Sequence, residues 1–277
     1  MSIILGTHIT SDLDEILDVA TYSVKQLGMT CIQFFVNANV SKTQRRIYTN
    51  LRKICKKCIP IVHVSYTINC ALDWDQYSWW IIQCIEEIKL AAYVGATMCV
   101  IHIGKQLELA TEQSINNIYT SLLHIHSQTV NSNVKIVLET ASGAGTEIGA
   151  KLEDLSKIYT KFRDSRSSHI RARFGICIDT CHIYAAGYDI ATKSGLDTYL
   201  KKFDGLIGID NIMLVHLNDC KSARGSRIDR HANFGYGNIG SDAIMRITKM
   251  FKRVPIVLET PAKHLIEDYE FVRDHVH

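Results

Sequence analysis

Six short apolar segments of this sequence each end in a histidine or a carboxylate, namely His63, His102, Glu139, Asp179, His216 and Glu259. A lone histidine at the end of an apolar segment is usually a core residue. Six converging ionisable groups, however, would be costly to remove from water without a compensating positive charge. Imidazole and carboxylate groups are typical ligands of zinc and manganese. The pattern therefore predicts a metal centre, provided that the six segments end on the same side of the fold.

Three further residues extend this candidate ligand set, namely His182, Asp229 and His231. His182 follows Asp179 by three residues, so the first turn after the segment would return it to the same side. Asp229 and His231 lie in a glycine-containing loop beyond the segment that ends near Leu217. Nine ligands exceed the needs of one ion or of two tetrahedral ions. Three ions that share at least one bridging carboxylate, and that leave positions open for water, fit this number best.

A site with several metal ions favours phosphoester chemistry. Ions about 3.5–4 Å apart can hold a hydroxide, polarise a phosphodiester and stabilise the leaving oxygen. The chain has 31 Lys and Arg residues against 28 Asp and Glu residues, a formal charge of +3. Three divalent ions would raise that charge to about +9, which makes nucleic acid a plausible substrate.

The elements that must position these residues are predicted from hydrophobic periodicity. Short β-branched segments predict eight strands, at Ile3–Gly6, Cys31–Val36, Ile59–Val64, Met98–Ile103, Val134–Glu139, Phe174–Asp179, Ile212–Leu217 and Pro255–Glu259. Helical spacing of apolar residues predicts helices at Asp12–Gly28, Thr43–Lys57, Trp74–Ala96, Thr111–Thr129, Leu152–Phe162 and Asp242–Phe251. The near-continuous apolar character of the strands suits a parallel sheet that is buried on both faces.

Eight strands that alternate with helices predict an α/β fold, a (β/α)8 TIM barrel forming a single domain over residues 1–277. The segment Ile136–Thr140 recurs as Ile256–Thr260, an internal repeat that supports the barrel. An open, doubly wound sheet is less favoured, because no glycine-rich dinucleotide fingerprint follows the first strand. Barrel enzymes build their sites at the carboxyl ends of the strands, so we expect the metal cluster at that mouth.

The cysteines and the chain's apolar segments bear on its compartment. Cys55 and Cys58 lack the second close pair that a zinc ribbon needs, and the spacing of Cys177 and Cys181 suits packing as well as metal binding. We therefore expect reduced thiols. Neither a secretory signal nor a membrane-spanning segment is predicted. The expected location is intracellular and reducing, either cytoplasm or nucleus, with a virion also compatible; secretion and a membrane partner are not expected.

Three ordered stretches carry a family resemblance: Val137–Gly145, Gly175–His182, and Val215–His231 with the glycines that follow it. At these residues the sequence resembles the endonuclease IV family of apurinic/apyrimidinic endonucleases, and the resemblance covers essentially the whole chain. It implies a (β/α)8 barrel with three zinc ions that acts in base excision repair. Such an enzyme cleaves the DNA backbone 5′ of an abasic site and leaves a 3′-hydroxyl and a 5′-deoxyribose phosphate. It also implies double-stranded DNA with abasic or 3′-blocked sites as partner, cleaning of blocked 3′ ends, and a monomer.

The resemblance also implies a role for each candidate ligand. The first zinc would be held by His63, His102 and Glu139, the second by Glu139, Asp179, His216 and Glu259, and the third by His182, Asp229 and His231, with Mn²⁺ able to substitute at one position. Glu139 would bridge the first two ions and, with a bridging hydroxide, would lie at the centre of the chemistry. His8 also matches the family in residue type, and we expect it to support the ligands rather than to bind metal.

The resemblance is less specific about the residues that contact DNA. Tyr66 matches a family tyrosine that reaches into the DNA near the lesion. Family members often place an arginine and a tryptophan in the loop after the second strand. This chain has neither in register, so Asn37 or Asn39 is expected to replace them in opening the helix. Four basic residues surround the third group of ligands and could clamp phosphates: Lys221, Arg224, Arg227 and Arg230.

Two other functions are compatible with parts of this pattern. A sugar isomerase or epimerase on the related barrel would use one or two divalent metals and an acid/base pair. Four residues alone would satisfy that enzyme: Glu139, Asp179, His216 and Glu259. It would not need the other five candidate ligands. A non-catalytic DNA-binding protein on the same scaffold is the third possibility, and the intact ligand set argues against it.

Overall fold

A closed barrel of eight parallel strands organises the chain. The computed structural model describes residues 3–10, 12, 13, 15–37 and 41–276, so Asn39 lies outside the described residues. The barrel strands are β1 (Leu5–Ile9), β2 (Cys31–Phe35), β3 (Ile59–His63), β4 (Met98–His102), β5 (Lys135–Glu139), β6 (Phe174–Asp179), β7 (Ile212–His216) and β10 (Ile256–Leu258). Around the barrel they follow the order β1-β10-β7-β6-β5-β4-β3-β2, which confirms the predicted TIM barrel. A short antiparallel ribbon, β8 (Asp219–Cys220) with β9 (His231–Ala232), lies between β7 and β10 in the sequence.

Helices connect the strands. They are α1 (Ile16–Lys25), α2 (Lys42–Cys55), α3 (Trp79–Val94), α4 (Thr111–Gln128), α5 (Leu152–Arg163), α6 (Ser168–Arg173), α7 (Thr180–Ala185), α8 (Lys193–Leu206), α9 (Ser241–Met250) and α10 (Leu265–His275). The predicted helices correspond to α1–α5 and α9, whereas α6, α7, α8 and α10 were not predicted. No helix in the part of the chain that the structure describes is long and apolar enough to cross a membrane.

Two of the predicted boundaries that differ from the structure have an identifiable physical reason. The helix expected from Trp74 begins only at Trp79, because Asp75 and Ser78 form a side-chain turn: the Asp75 Oδ1 atom accepts from the backbone N–H of Tyr77 at 2.9 Å. The first strand was predicted at Ile3–Gly6 and is observed at Leu5–Ile9. Its buried Thr7 and His8 are polar, which hid the second half of the strand from an apolar pattern.

The interior of the barrel is filled by side chains at alternate strand positions. One buried cluster contains Cys31, Ile61, Met98, Val100, Val137, Cys177, Leu214 and Val257. Successive side chains of a strand point to opposite faces, so a residue two positions further along points into the same interior. The remaining buried core lies between strands and helices and is much larger. All nine cysteines are free thiols, as predicted.

Candidate metal centre

The candidate ligands lie on the same inward-facing side of the strands as the interior cluster, because side chains alternate along a strand. Each of six candidate ligands follows an interior residue of its own strand by two positions. These ligands are His63, His102, Glu139, Asp179, His216 and Glu259. Five of them are the last residue of their strand, and Glu259 follows β10 by one position. Glu139, Asp179 and His216 are at most 1% exposed. The six predicted residues therefore meet at the carboxyl mouth of the barrel.

The first group of potential ligand atoms comes from β3, β4 and β5. The Nε2 atom of His63 lies 3.2 Å from Oε2 of Glu139, and Nε2 of His102 lies 3.3 Å from the same oxygen. All three ligand atoms are within 4.8 Å of one another. Two imidazoles and one carboxylate at this separation form a donor set that suits zinc.

The second group shares Glu139 with the first. Nδ1 of His216 lies 2.8 Å from Oε1 of Glu139 and 3.3 Å from Oε2 of Glu259. Oδ2 of Asp179 is 3.9 Å from the same nitrogen. Glu139 thus directs one carboxylate oxygen to each group, the geometry expected of a residue that bridges two ions.

The third group lies beside the second. Its residues come from the turn after β6 and from the ribbon with its loop. Nε2 of His182 lies 3.1 Å from Oδ2 of Asp229, and Nε2 of His231 lies 3.2 Å from the other oxygen, Oδ1. Asp179 connects the groups, since its Oδ2 is 3.6 Å from Nε2 of His231. Its Oδ1 also accepts the backbone N–H of His182 at 2.8 Å, which fixes the start of α7.

Backbone carbonyls orient three of these imidazoles. Because a carbonyl oxygen can only accept, the Nδ1 atom of each ring must donate. His63 donates to Val64 O at 2.7 Å, His182 to Thr140 O at 2.8 Å, and His231 to Glu259 O at 3.0 Å. Each Nε2 is then left unprotonated in the neutral ring and faces a carboxylate. Ligand histidines of metal sites are commonly held in this way, so the arrangement fits resident divalent ions.

Gln33 and Asn218 support the second group and were not predicted. Gln33 is fully buried in β2; its Oε1 accepts from Nε2 of His216 at 2.9 Å and its Nε2 donates to Glu259 at 2.7 Å. Asn218 donates to Oδ2 of Asp179 at 2.7 Å. A signal for Gln33 was present in the sequence, because it follows the interior residue Cys31 by two positions, as the ligands do.

Asp219 holds the loop that follows the third group. Its buried carboxylate accepts the backbone N–H groups of Gly235 at 3.0 Å, Gly237 at 3.1 Å and Ile239 at 2.9 Å. A Cβ atom on Gly237 would lie 2.4 Å from Oδ1 of Asp219, so only glycine fits there. The glycine-rich tail of the family resemblance therefore wraps a carboxylate that sequence reasoning did not single out.

Electrostatics favour an ionised Glu139. Burial would raise the pKa of this carboxyl, but the imidazoles of His102 and His216, with hydrogen bonds from His216 and His63, hold the pKa well below its usual range. Burial lowers the pKa of His102 to about 4. A neutral His102 beside a charged Glu139 has the protonation states that metal binding requires.

In the absence of metal, the imidazoles of the third group bind protons. Burial would lower the pKa of His182, but Asp179 and a hydrogen bond to Asp229 raise it well above its usual value. The same carboxylates raise the pKa of His231 to about 9, again against the effect of burial. Protonated imidazoles thus neutralise these carboxylates, and a metal ion would replace the protons.

Comparisons with known proteins identify the family. The model of the family described as "Xylose isomerase-like TIM barrel" matches residues 22–275. A curated protein of Staphylococcus aureus (strain Newman) named "Probable endonuclease 4" is 32% identical over 269 residues, which cover 93% of this chain and 88% of the relative. The chain belongs to the endonuclease IV family.

Solved structures agree with the fold of the endonuclease IV family. Endonuclease IV from Thermus thermophilus superposes with a TM-score of 0.76 at 23% identity, covering 98% of this chain and 97% of that one. A D-tagatose 3-epimerase-like protein gives a TM-score of 0.69 at 17% identity, covering 99% and 98%. At these identities both likenesses show the shared barrel and nothing further.

A cavity beside the candidate metal centre opens to the surface of this endonuclease IV family member. It has a volume of about 410 Å³, and its lining includes Tyr66, His102, Lys105 and Asp229. Tyr66 is 76% exposed at the rim. Its ring centroid is 6.4 Å from that of Phe35, a 40%-exposed aromatic residue at the end of β2 that was not predicted. The predicted tyrosine therefore lies at the entrance to the ligand groups, as part of an aromatic pair.

The other residues predicted to contact DNA are less directly connected to the centre. Asn37 is exposed two residues beyond β2, where its backbone N–H donates to the Tyr48 hydroxyl at 2.9 Å. Lys221 and Arg230 are exposed in the loop of the ribbon, joined by a backbone hydrogen bond of 2.9 Å. Arg224 lies 3.3 Å from Asp189, so part of its charge is already compensated.

Proposed function

We propose that this chain is a metal-dependent endonuclease that cleaves the phosphodiester bond 5′ of abasic sites in double-stranded DNA. The products would be a 3′-hydroxyl and a 5′-deoxyribose phosphate, and the same centre would clean blocked 3′ ends. One observation carries the proposal: three groups of ligand atoms meet at one mouth, with Glu139 in two of them. The curated relatives named endonuclease 4 support DNA as the substrate.

Three zinc ions fit the three groups, with Mn²⁺ able to replace one of them. The proposed ligands are His63, His102 and Glu139 for the first ion, Glu139, Asp179, His216 and Glu259 for the second, and His182, Asp229 and His231 for the third. When bound, such ions lower the pKa of water and neutralise charge on a phosphodiester. A cysteine ligand is not needed, because imidazole and carboxylate groups supply all three groups; in the absence of metal, burial raises the pKa of Cys177 to about 12.

The chain's own residues would position the reacting phosphate. Glu139, the proposed catalytic residue, fixes the spacing of the first two groups through its two oxygens. Gln33 holds both His216 and Glu259, so the second group is rigid before substrate arrives. Tyr66 and Phe35 offer exposed aromatic faces at the rim, where an unstacked base next to the lesion could pack.

A sugar epimerase or isomerase is the second candidate. The fold shared with an epimerase-like protein, and the four residues of the second group, would suffice for it. The third group counts against it, since His182, Asp229 and His231 would have no role in a site with one or two metals. Metal stoichiometry and sugar turnover separate the two functions.

The test is incision of a duplex with one abasic-site analogue, beside an intact duplex of the same sequence. Labelling either end of the lesion strand shows which side of the lesion is cut and which ends remain. We expect a single cut 5′ of the analogue that leaves a 3′-hydroxyl. Equal cutting of both duplexes, or a cut on the 3′ side, would contradict the proposal, and epimerisation of free ketoses without incision would support the alternative.

A further inference from the structure

A second cavity lies at the opposite end of the barrel from the metal centre. β5 begins at Lys135 and ends at Glu139, so the two sites are separated by the length of the strand. This cavity, the basal pocket, has a volume of about 270 Å³. Its polar lining consists of His126, Ser132, Asn133, Lys135, His169 and Arg173. None of the residues described in its lining is acidic.

Arg173 places a positive charge in the wall of the basal pocket, and no carboxylate among the described residues pairs with it. Its side chain is buried, with 6% of the residue exposed. The guanidinium donates to the carbonyl oxygens of Ser132 and Thr129 and to the Thr129 hydroxyl. Its Nε atom finds no hydrogen-bond partner within the described part of the chain. Lys135 similarly donates to the carbonyl oxygen of Ala172 at 2.5 Å. Carbonyl groups compensate a buried cation only in part, so an anion in the pocket would be stabilised.

His126 adds a second unsatisfied polar atom. Its Nδ1 is buried and has no hydrogen-bond partner among the residues that the structure describes. Burial lowers the pKa of His126, and the nearby guanidinium of Arg173 lowers it further. The basal pocket therefore combines a positive potential with polar atoms that lack partners.

We propose that the basal pocket binds the phosphate group of a small ligand, either inorganic phosphate or a small phosphate monoester. Arginine, lysine and imidazole are the side chains that recognise phosphate oxygens, and Ser132 and Asn133 add neutral donors. Ligand pockets usually occupy about 300–1,000 Å³, so 270 Å³ limits the occupant to a small molecule. A DNA duplex is too large to enter. The site does not depend on the proposed nuclease activity.

The test uses NMR of the metal-loaded protein, because phosphate could also bind at the metal centre and the two sites must be resolved. Inorganic phosphate is titrated at constant ionic strength, with chloride as the control anion. We expect saturable shifts of the amides of Ser132, Asn133 and Ala172. The double variant Lys135→Gln/His169→Asn should weaken this binding by about tenfold or more, the effect of losing a charge-assisted hydrogen bond.

Lys249→Gln is the matched control, since it removes one exposed positive charge near the end of α9, outside the basal pocket. It should bind phosphate like the unchanged protein. His169→Asn alone, at an exposed position, keeps the test valid if the double variant does not fold. Shifts confined to the metal centre, shifts that chloride reproduces, or equal weakening by Lys249→Gln would overturn the proposal. So would shifts of the three amides by an intact duplex but not by phosphate.

Discussion

Replacing Gln33 by leucine tests whether the interior of the barrel tunes the metal centre. Leucine is similar in volume but cannot form the hydrogen bonds to His216 at 2.9 Å, Glu259 at 2.7 Å and His8 at 2.8 Å. Without Gln33 as acceptor, Nε2 of His216 no longer has to carry the proton. The Nδ1 atom that faces Glu139 would then be protonated in part of the population and unable to bind metal.

The expected losses of metal affinity and of stability follow from the hydrogen-bond partners that Gln33 would no longer serve. A residue that orients a metal ligand usually contributes 10–100-fold to metal affinity, about 1.4–2.7 kcal/mol. In the metal-free protein, His216 and Glu259 would lose buried partners at about 1–3 kcal/mol each, so unfolding should require about 2–6 kcal/mol less. Gln113→Leu is the matched control: its side chain is exposed and far from the barrel interior, so the change should stay within about 0.5 kcal/mol.

The assay is competition for zinc against a chromophoric chelator, followed by denaturant unfolding of the metal-free protein. We expect one of the bound ions to be lost 10–100 times more readily from Gln33→Leu and not from Gln113→Leu, the range typical of residues that orient a metal ligand. A folded Gln33→Leu protein that keeps the zinc affinity of the unchanged chain would refute the reasoning, because Gln33 would then be only a packing residue.

Three further predictions concern the ligands and the rim. Glu139→Gln should lower turnover on abasic DNA by orders of magnitude with little change in DNA affinity, since a bridging charge stabilises the reacting geometry more than it binds substrate. Turnover equal to that of the unchanged protein would exclude the proposed catalytic role of Glu139. Tyr66→Ala should weaken the preference for abasic over intact duplex in binding titrations by about 1–3 kcal/mol, the worth of one stacked base, and an unchanged ratio would leave Tyr66 a structural residue. Zinc uptake should release protons and weaken as the pH falls below about 9, because His231, with its pKa raised to about 9, is protonated there and must lose that proton to bind metal. Calorimetry in buffers of different ionisation enthalpy measures the release, and pH-independent uptake would contradict it.

The sequence was sufficient for the barrel and for the residues at its mouth. Because side chains alternate along a strand, each candidate ligand at a strand end follows an interior residue by two positions, and β5 and β6 end at the residues that the apolar pattern predicted. The pattern failed in β1, where Thr7 and His8 are both polar; His8 lies 3.2 Å from the candidate ligand Glu259. It also failed at Gln33, a polar residue in the middle of an apolar strand: its spacing of two from Cys31 was visible in the sequence, but its partners His216 and Glu259 were not.

Residues that depend on long-range contacts were harder to predict. Asp229 and His231 reach the third group because the ribbon and Asp219 fold their loop back over the mouth, and loop spacing alone does not determine that path. Phe35 was missed because an apolar residue at the end of an apolar strand gives no sign that it is exposed. The sequence singled out the three residues of the third group, but their assignment to one common ion came only from the resemblance to a known family.

Metal content and incision measured on one preparation show whether the proposed metal centre cleaves DNA. The protein is assayed on the abasic duplex while a chelator removes its metal stepwise, and zinc per chain is determined at each step. We expect three zinc ions per chain, loss of incision 5′ of the lesion as they leave, and recovery when zinc is restored. One or two ions per chain with turnover of sugars, or incision that survives complete removal of metal, would contradict the proposed function.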